Sequence, residues 1–406
     1  MQSLTKKRSL YLVTGTLALL FAGIIYGWSI LKVPLAEQFG LDVSQLALNY
    51  TLTMCFFCLG GVVGSLIRSR LGLPLTFTVA AVLSAGGFIL TGLVFKGSAA
   101  LLYLLYGVMT GLGIGIAYTS ILTVVGRWFP DRTGFCSGCL MMGFGASTLL
   151  LGSLADRLIA APFGWQRTYV LIGLCLLLVL TATGCILRFP EEGTVFPASA
   201  ADKKAGEEKT KRDCTTREMM SSTAFWKAFL FFVFLTAVGS VAIGFARDLS
   251  VELGASSAAA ALMVGLLSVC NGLGRILTGL VFDALGRRKT MLLANLLTIA
   301  ASLILLVSVV SGSFAVFCVG ICTAGLSYGS CPTMVSAFTA EFFGRKHYSS
   351  NFSIMNCNLM LAAFMATVCG KLRAATGGFT AALAVLSVLT LLALVLNLSI
   401  NKRDRD

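Results

Sequence analysis

The sequence predicts an all-α membrane protein of twelve transmembrane helices arranged as two pseudo-symmetric six-helix bundles. Three observations carry that expectation. Hydrophobic residues make up 57% of the 406 positions, charged residues only 12%, and the mean hydropathy is +0.90. A soluble domain carries about 25% charged residues, so this surface is built for lipid. Apolar windows of crossing length recur along the chain, about 20 residues being needed for a hydrocarbon core about 30 Å thick. Alternating polarity over about ten residues, the mark of an outer-membrane β-barrel, is absent.

The spans fall at about 10–33, 43–67, 73–95, 99–125, 134–156, 166–188, 224–246, 256–282, 290–311, 313–339, 350–370 and 377–399. The first is retained as a helix: Tyr26, Gly27, Trp28 and Ser29 offer no small-residue cleavage site, and the apolar run is too long for a leader. Basic pairs such as Arg68 with Arg70, or Arg345 with Lys346, punctuate the intervals between spans. The fourth, fifth and tenth spans are rich in glycine, including Gly111, Gly113, Gly115, Gly138, Gly143, Gly325 and Gly329. Small residues let helices approach closely in lipid, so packing is the expected role. Gly111 to Gly115 lies inside an apolar span with the wrong spacing for a dinucleotide loop.

Residues 189–222 form the longest polar segment and divide the chain into an N-terminal bundle, 1–188, a linker, and a C-terminal bundle, 223–406. The linker holds too few large apolar residues to bury a core. It is expected to be solvated, with a short amphipathic helix near Glu218 to Met220.

Orientation follows Lys and Arg. The side shared by both termini carries 23 of the 31 basic residues and the opposite side seven. Both termini are therefore expected in the cytoplasm, with the chain crossing the plasma membrane many times. The formal charge of +14 reads as topology signal and affinity for anionic lipid, with no nucleic-acid partner. The basic residue left over, Arg275, interrupts the eighth span.

The two halves repeat each other. "GRWFPDRTGFCSG" (126–138) after the fourth span is answered by "AEFFGRKHYSS" (340–350) after the tenth. "GVVGSLIRSRLGLP" (61–74) is likewise answered by "GLVFDALGRRKT" (279–290). Both pairs are offset by six helices, as a duplicated six-helix unit requires.

These stretches resemble the major facilitator superfamily, whose signature G-x-x-x-D-x-x-G-R-[RK] is matched by Gly279, Asp283, Gly286, Arg287 and Arg288. The resemblance implies a gate on the cytoplasmic side. Asp283 at a helix end can pair with arginines and with a neighbouring helix N-terminus. In the first half Ser69 stands at the Asp position and only Arg70 survives, so that latch is expected to be weak or built differently. More narrowly, "YGWSILKVPL" (26–35), "GLGIGIAYTSILTVVGRWFPDRTGFCSG" (111–138), "EMMSSTAFW" (218–226), "NGLGRILTGLVFDALGR" (271–287) and "GLSYGSCPT" (325–333) resemble the oxalate/formate antiporter subfamily and its monocarboxylate-transporter relatives.

Arg275 lies eight residues before Asp283, about 12 Å along a helix at 1.5 Å per residue. A bare charge at that depth costs between about 2.5 and 17 kcal/mol. The apolar spans contain no interior Asp or Glu to neutralise it; Glu37 and Asp156 come nearest. A guanidinium in that setting is a fork for an anion; the alternative is an arginine paired with carbonyls, Asn or Tyr to hold two helices together. The missing membrane acid also disfavours proton symport. The single histidine, His347, falls in a loop and reads as solvated. Exchange of one anion for another, or facilitated movement, fits better.

By the resemblance, Tyr26, Trp28, Tyr118, Phe144 and Tyr328 occupy positions that line the central cavity in oxalate-transporting relatives, where a tyrosine offers an apolar wall and one O–H donor. Asn271, Asn356 and Asn358 stand equally as cavity lining or as interhelical hydrogen-bond groups. The relatives' second cation, a lysine in the eleventh helix, is replaced here by Leu359. A small organic monoanion such as formate or lactate is therefore expected over oxalate. No cofactor or metal is expected, the thirteen cysteines reading as small core residues, and a monomer in the lipid bilayer is expected to suffice. A proton-coupled or drug-exporting carrier of the same superfamily is the alternative. A channel, which needs a continuous pore, is disfavoured by the paired six-helix repeat with its latch loops, and a membrane enzyme because the apolar spans offer neither paired acids nor a histidine.

Overall fold

The backbone resolves the twelve spans into helices whose breaks, more than their apolar runs, position the site. The structure is a computed structural model that describes residues 2–41, 43–191, 194, 196 and 213–400. Most of the linker, including residues 197–212, lies outside the described residues. Among the described residues every regular element is helical.

Helix α1 runs over residues 2–39 as Gln2–Ala22, a 3₁₀ turn at Gly23–Gly27, and Trp28–Phe39. Val43–Val94 is one helical path except at Gly72, where φ is +79°; this divides it into α2 (43–71) and α3 (73–94). Helix α4 comprises Ala99–Leu102, a π-helical stretch at Tyr103–Thr110, and Gly111–Trp128. Helix α5 comprises Thr133–Ser147, a π turn at Thr148–Gly152, and Ser153–Ala160. Helix α6 is Gly164–Ile186.

After a short helix at Thr216–Ser221, α7 spans Thr223–Glu252. Ser257–Ser311 is broken only at Gly286, φ +76°, giving α8 (257–285) and α9 (287–311). Helix α10 is Phe314–Phe342, α11 is Tyr348–Asn356 continued by Asn358–Thr376, and α12 is Thr380–Ser399. The backbone reversals at Gly72 and Gly286 use a φ that a Cβ would strain. They sit at matching places six helices apart.

Several helices outrun their apolar windows. Helix α1 begins at Gln2 and ends at Phe39, not at about 10 and 33, and α7 continues to Glu252. Hydropathy detects the segment that prefers lipid, whereas the backbone hydrogen-bond ladder continues past it at no extra cost.

Contacts divide the chain into two compact units. The first comprises Met1–Asp131, Cys139–Pro197 and Phe352–Ile354; the second comprises Arg132–Gly138, Ala198–Asn351 and Met355–Asp406. The first has a core around Trp28, Phe88, Phe95, Tyr106, Trp165 and Tyr169. Glycine lets its helices meet: a Cβ at Gly115 would lie 2.0 Å from the Phe57 carbonyl oxygen on α2. The second packs Val241, Met263, Leu305, Phe317, Phe379 and Leu386 together. Here Gly329 does the same service, since its Cβ would meet the Asn271 carbonyl oxygen at 2.1 Å. Large apolar side chains also point outward, Leu178 being 72% and Val310 69% exposed. A multi-pass membrane protein presents that surface to lipid.

Candidate substrate site and gate

Within the second unit, α8 and α10 lie close enough for polar groups on their shared face to be sealed in. Arg275 on α8 is 1% exposed. Its Nε donates to Asn271 Oδ1 at 3.3 Å, one helical turn earlier, and Thr333 Oγ1 of α10 donates to the Arg275 carbonyl oxygen at 3.3 Å. Asn271 and Thr333 are also buried. The guanidinium thus has the neutral Asn271 amide among its neighbours, which helps to orient it.

Tyr328 of α10 is buried, its ring seated in the recess left by Gly239 of α7, where a Cβ would meet the ring at 2.1 Å. In α11 the helix breaks at Cys357 between two buried asparagines. Asn358 Nδ2 donates to the Met355 carbonyl oxygen at 2.6 Å, and Asn358 Oδ1 accepts from Thr236 Oγ1 of α7 at 3.3 Å. Asn358 is therefore an interhelical tie, while Asn356 is buried at the break and Leu359 is half-buried just after it.

Within the first unit, Tyr26, Tyr118 and Phe144 come together. Phe144 lies 5.1 Å from Tyr26 and 5.1 Å from Tyr118, ring centre to ring centre. Phe57 completes the group, 5.1 Å from Tyr118, and Phe352 approaches Tyr118 at 6.1 Å. Phe57 carried no sequence signal, being one apolar residue among many on α2. Trp28 is elsewhere: its ring packs on Tyr106 at 4.6 Å and its Nε1 donates to the Leu46 carbonyl oxygen at 3.0 Å. Tyr26 and Trp28 are two residues apart, about 200° around a helix, so one faces the aromatic group and the other the core.

The gate candidates divide as well. Asp283, at the end of α8, accepts from the backbone N–H of Gly134 through Oδ1 and of Phe135 through Oδ2, each at 2.8 Å. It caps the start of Thr133–Ser147, where a carboxylate meets unpaired N–H donors and the positive end of the helix dipole. The approach needs glycine on both sides: a Cβ at Gly279 would lie 2.3 Å from the Gly134 carbonyl oxygen. Ser137 and Ser336 hydroxyls bond at 2.8 Å, and Ser336 bonds the Tyr348 hydroxyl at 2.7 Å. Arg287 stacks over Phe342, 4.9 Å from its centre. Arg288 and Arg70 are exposed.

In the first unit Arg68, not Arg70, turns inward and donates to Ser120 Oγ at 3.3 Å. Ser69, at the position of Asp283, bonds only its own helix, to the Leu66 carbonyl oxygen. Arg8 pairs with Asp131 there. Arg345 was also missed: its Nη2 donates to Thr133 Oγ1 at 2.8 Å, beside the capped N–H groups. The repeat between 126–138 and 340–350 pointed to both segments without saying that Arg345 and Thr133 meet. Among the described residues, no group of three His, Cys, Asp or Glu side chains gathers as a metal ion would require.

Known proteins agree with this architecture. The Major Facilitator Superfamily pattern matches residues 12–246 and 229–405. The chain is 23% identical over 396 residues to the oxalate:formate antiporter of Oxalobacter formigenes, covering 96% of this chain and 90% of that one. It is 26% identical over 378 residues to monocarboxylate transporter 12 of Rattus norvegicus, covering 87% and 77%. Among solved structures, the proton:xylose symporter XylE superposes with a TM-score of 0.74 at 16% identity, covering 96% and 95%. This chain belongs to the Major Facilitator Superfamily, as a multi-pass membrane transporter and not an enzyme.

Proposed function

We propose that the chain moves small organic anions, a monocarboxylate such as formate or lactate, by anion exchange across the plasma membrane with both termini in the cytoplasm. The carrying observation is Arg275, a cation buried at 1% exposure in the middle of α8 and oriented by the neutral Asn271. By sequence, the apolar spans hold no interior Asp or Glu. A bound carboxylate would meet the guanidinium as a planar, two-pronged partner. Tyr328, buried in the same unit as Arg275, would add an O–H donor on an apolar wall. Two relatives bear carboxylates or monocarboxylates in their names, the oxalate:formate antiporter and monocarboxylate transporter 12. With Leu359 in place of a second cation, a monoanion is matched better than a dianion.

Alternating access then follows from the repeated halves. Crossing the low-dielectric state with Arg275 unneutralised is costly, so the loaded carrier switches more readily than the empty one, which is the condition for exchange. The Asp283 cap on Gly134 and Phe135 serves as a latch made in one state and released in the other.

The test is uptake by reconstituted protein loaded with candidate anions. Arg275→Gln should cut exchange by about ten- to a hundredfold from removing a charge-assisted pair, with normal folded protein in the membrane. Arg275→Lys should recover little, because a point charge replaces a fork. Full exchange by the Gln variant would reduce Arg275 to a partner of Asn271 that holds α8 in shape. Uptake of lipophilic cations instead of anions would favour the drug-exporting alternative.

A further inference from the structure

The described end of the linker makes specific hydrogen bonds to the turn between α10 and α11. Asp213, Cys214 and Thr215 lead into the short helix Thr216–Ser221, which carries a capping box between Thr215 and Glu218. This segment lies against the turn between α10 and α11. Asp213 Oδ1 accepts from the backbone N–H of Arg345 at 2.8 Å and of Lys346 at 3.1 Å. The Cys214 N–H donates to the Phe343 carbonyl oxygen at 2.9 Å, and Asn351 Nδ2 donates to the Cys214 carbonyl oxygen at 2.9 Å. Gly344, φ +86°, makes the turn and leaves the space, since a Cβ there would stand 2.2 Å from Asp213 Oδ1.

The same turn carries Arg345, whose guanidinium reaches Thr133 Oγ1 at 2.8 Å. Thr133 begins the helix whose next two N–H groups are held by Asp283. The chain of contacts is continuous: Asp213 fixes the backbone of Arg345, Arg345 holds Thr133, and Thr133 opens the segment that Asp283 caps. We propose that Asp213 is a positioning residue that acts through Arg345, so that docking of the linker end strengthens the latch on α5. This deepens the gate reading given above and rests on it, but not on the identity of the substrate. A linker that undocks would release the latch without touching Arg275.

Two native cysteines report the two steps separately. Cys214, 2% exposed, sits beside Asp213 and reports docking; Cys136, 1% exposed, follows Phe135 and reports the latch. The experiment is N-ethylmaleimide alkylation of reconstituted full-length protein, read at Cys136 and Cys214 by peptide mass spectrometry, which needs no substrate. Asp213→Ala should speed alkylation of both cysteines, about tenfold for the loss of hydrogen bonds to a charged group. Arg345→Gln keeps the backbone N–H groups and should speed Cys136 alone. The double variant should match Asp213→Ala at Cys136, because both act on one tie. Asp213→Asn, which keeps the Oδ1 acceptor, should restore much of the protection.

If Asp213→Ala exposes Cys214 but leaves Cys136 protected, the linker docks without holding the latch and the proposal fails. Unchanged alkylation at both sites overturns the docking itself. Asp283→Asn is the control for the gate reading: no rise at Cys136 in that variant would remove the latch, whatever Asp213 does. Anion exchange by the same vesicles tests the substrate independently.

Discussion

In the proposed site Arg275 would supply the cation, and Leu359 would leave out a second one. The guanidinium on α8 is held by Asn271 Oδ1, and α11 answers with a half-buried Leu359 beside the break at Cys357. Leu359→Lys should therefore shift preference toward a dianion such as oxalate. A second cation near Arg275 is costly in the empty carrier, yet each charge-assisted bond to a carboxylate returns about 1.5 to 3 kcal/mol. The expected signature is a variant with a lower melting temperature when empty and selective protection by dianions, measured by thermal unfolding in detergent across a ligand series. A folded variant that keeps its preference for monocarboxylates would place Leu359 away from the substrate. Residue identity alone does not decide such facing: Tyr26 joins Phe144 whereas Trp28 joins Tyr106.

At the scale of elements, the breaks matter as much as the helices. Gly72 and Gly286 were legible as loop glycines, because a positive φ within a helical path has few other solutions. The π stretch at Tyr103–Thr110, the 3₁₀ turn at Gly23–Gly27 and the break at Cys357 were not. Their sequences are apolar or small, and hydropathy is blind to which carbonyl a given N–H selects. The cap of α5 by Asp283 uses both carboxylate oxygens and the helix dipole. Asp283→Asn leaves one acceptor and no charge, so the latch should weaken by about 1.5 to 3 kcal/mol. Turnover should fall while KM for the anion changes little, since Asp283 is not among the residues proposed to bind substrate. A change in KM alone, measured by initial rates of exchange, would contradict a gating role.

At the scale of the whole molecule, the 23 basic residues on one side against seven on the other set the expected orientation. Epitope tags placed at Met1 and Asp406 should both be reachable only after the membrane is opened. Labelling of either tag on intact cells would reverse the assignment. The membrane class itself was fully legible, because 12% charged residues cannot cover a water-facing surface of this size.

What the sequence determined by itself was whatever depends on neighbours along the chain. That covers lipid as solvent, spans recurring at helical length, the offset of six helices between halves, and the glycines that permit reversal. The tertiary structure alone decided which groups face one another across long separations. It turned Arg68 inward and left Arg70 outside, brought Arg345 to Thr133 across 212 positions, and seated Asp213 on a turn 132 residues away. Polarity and periodicity specify a helix and its lipid-facing side, but a hydrogen bond between distant segments depends on how the helices pack, and no local pattern records that.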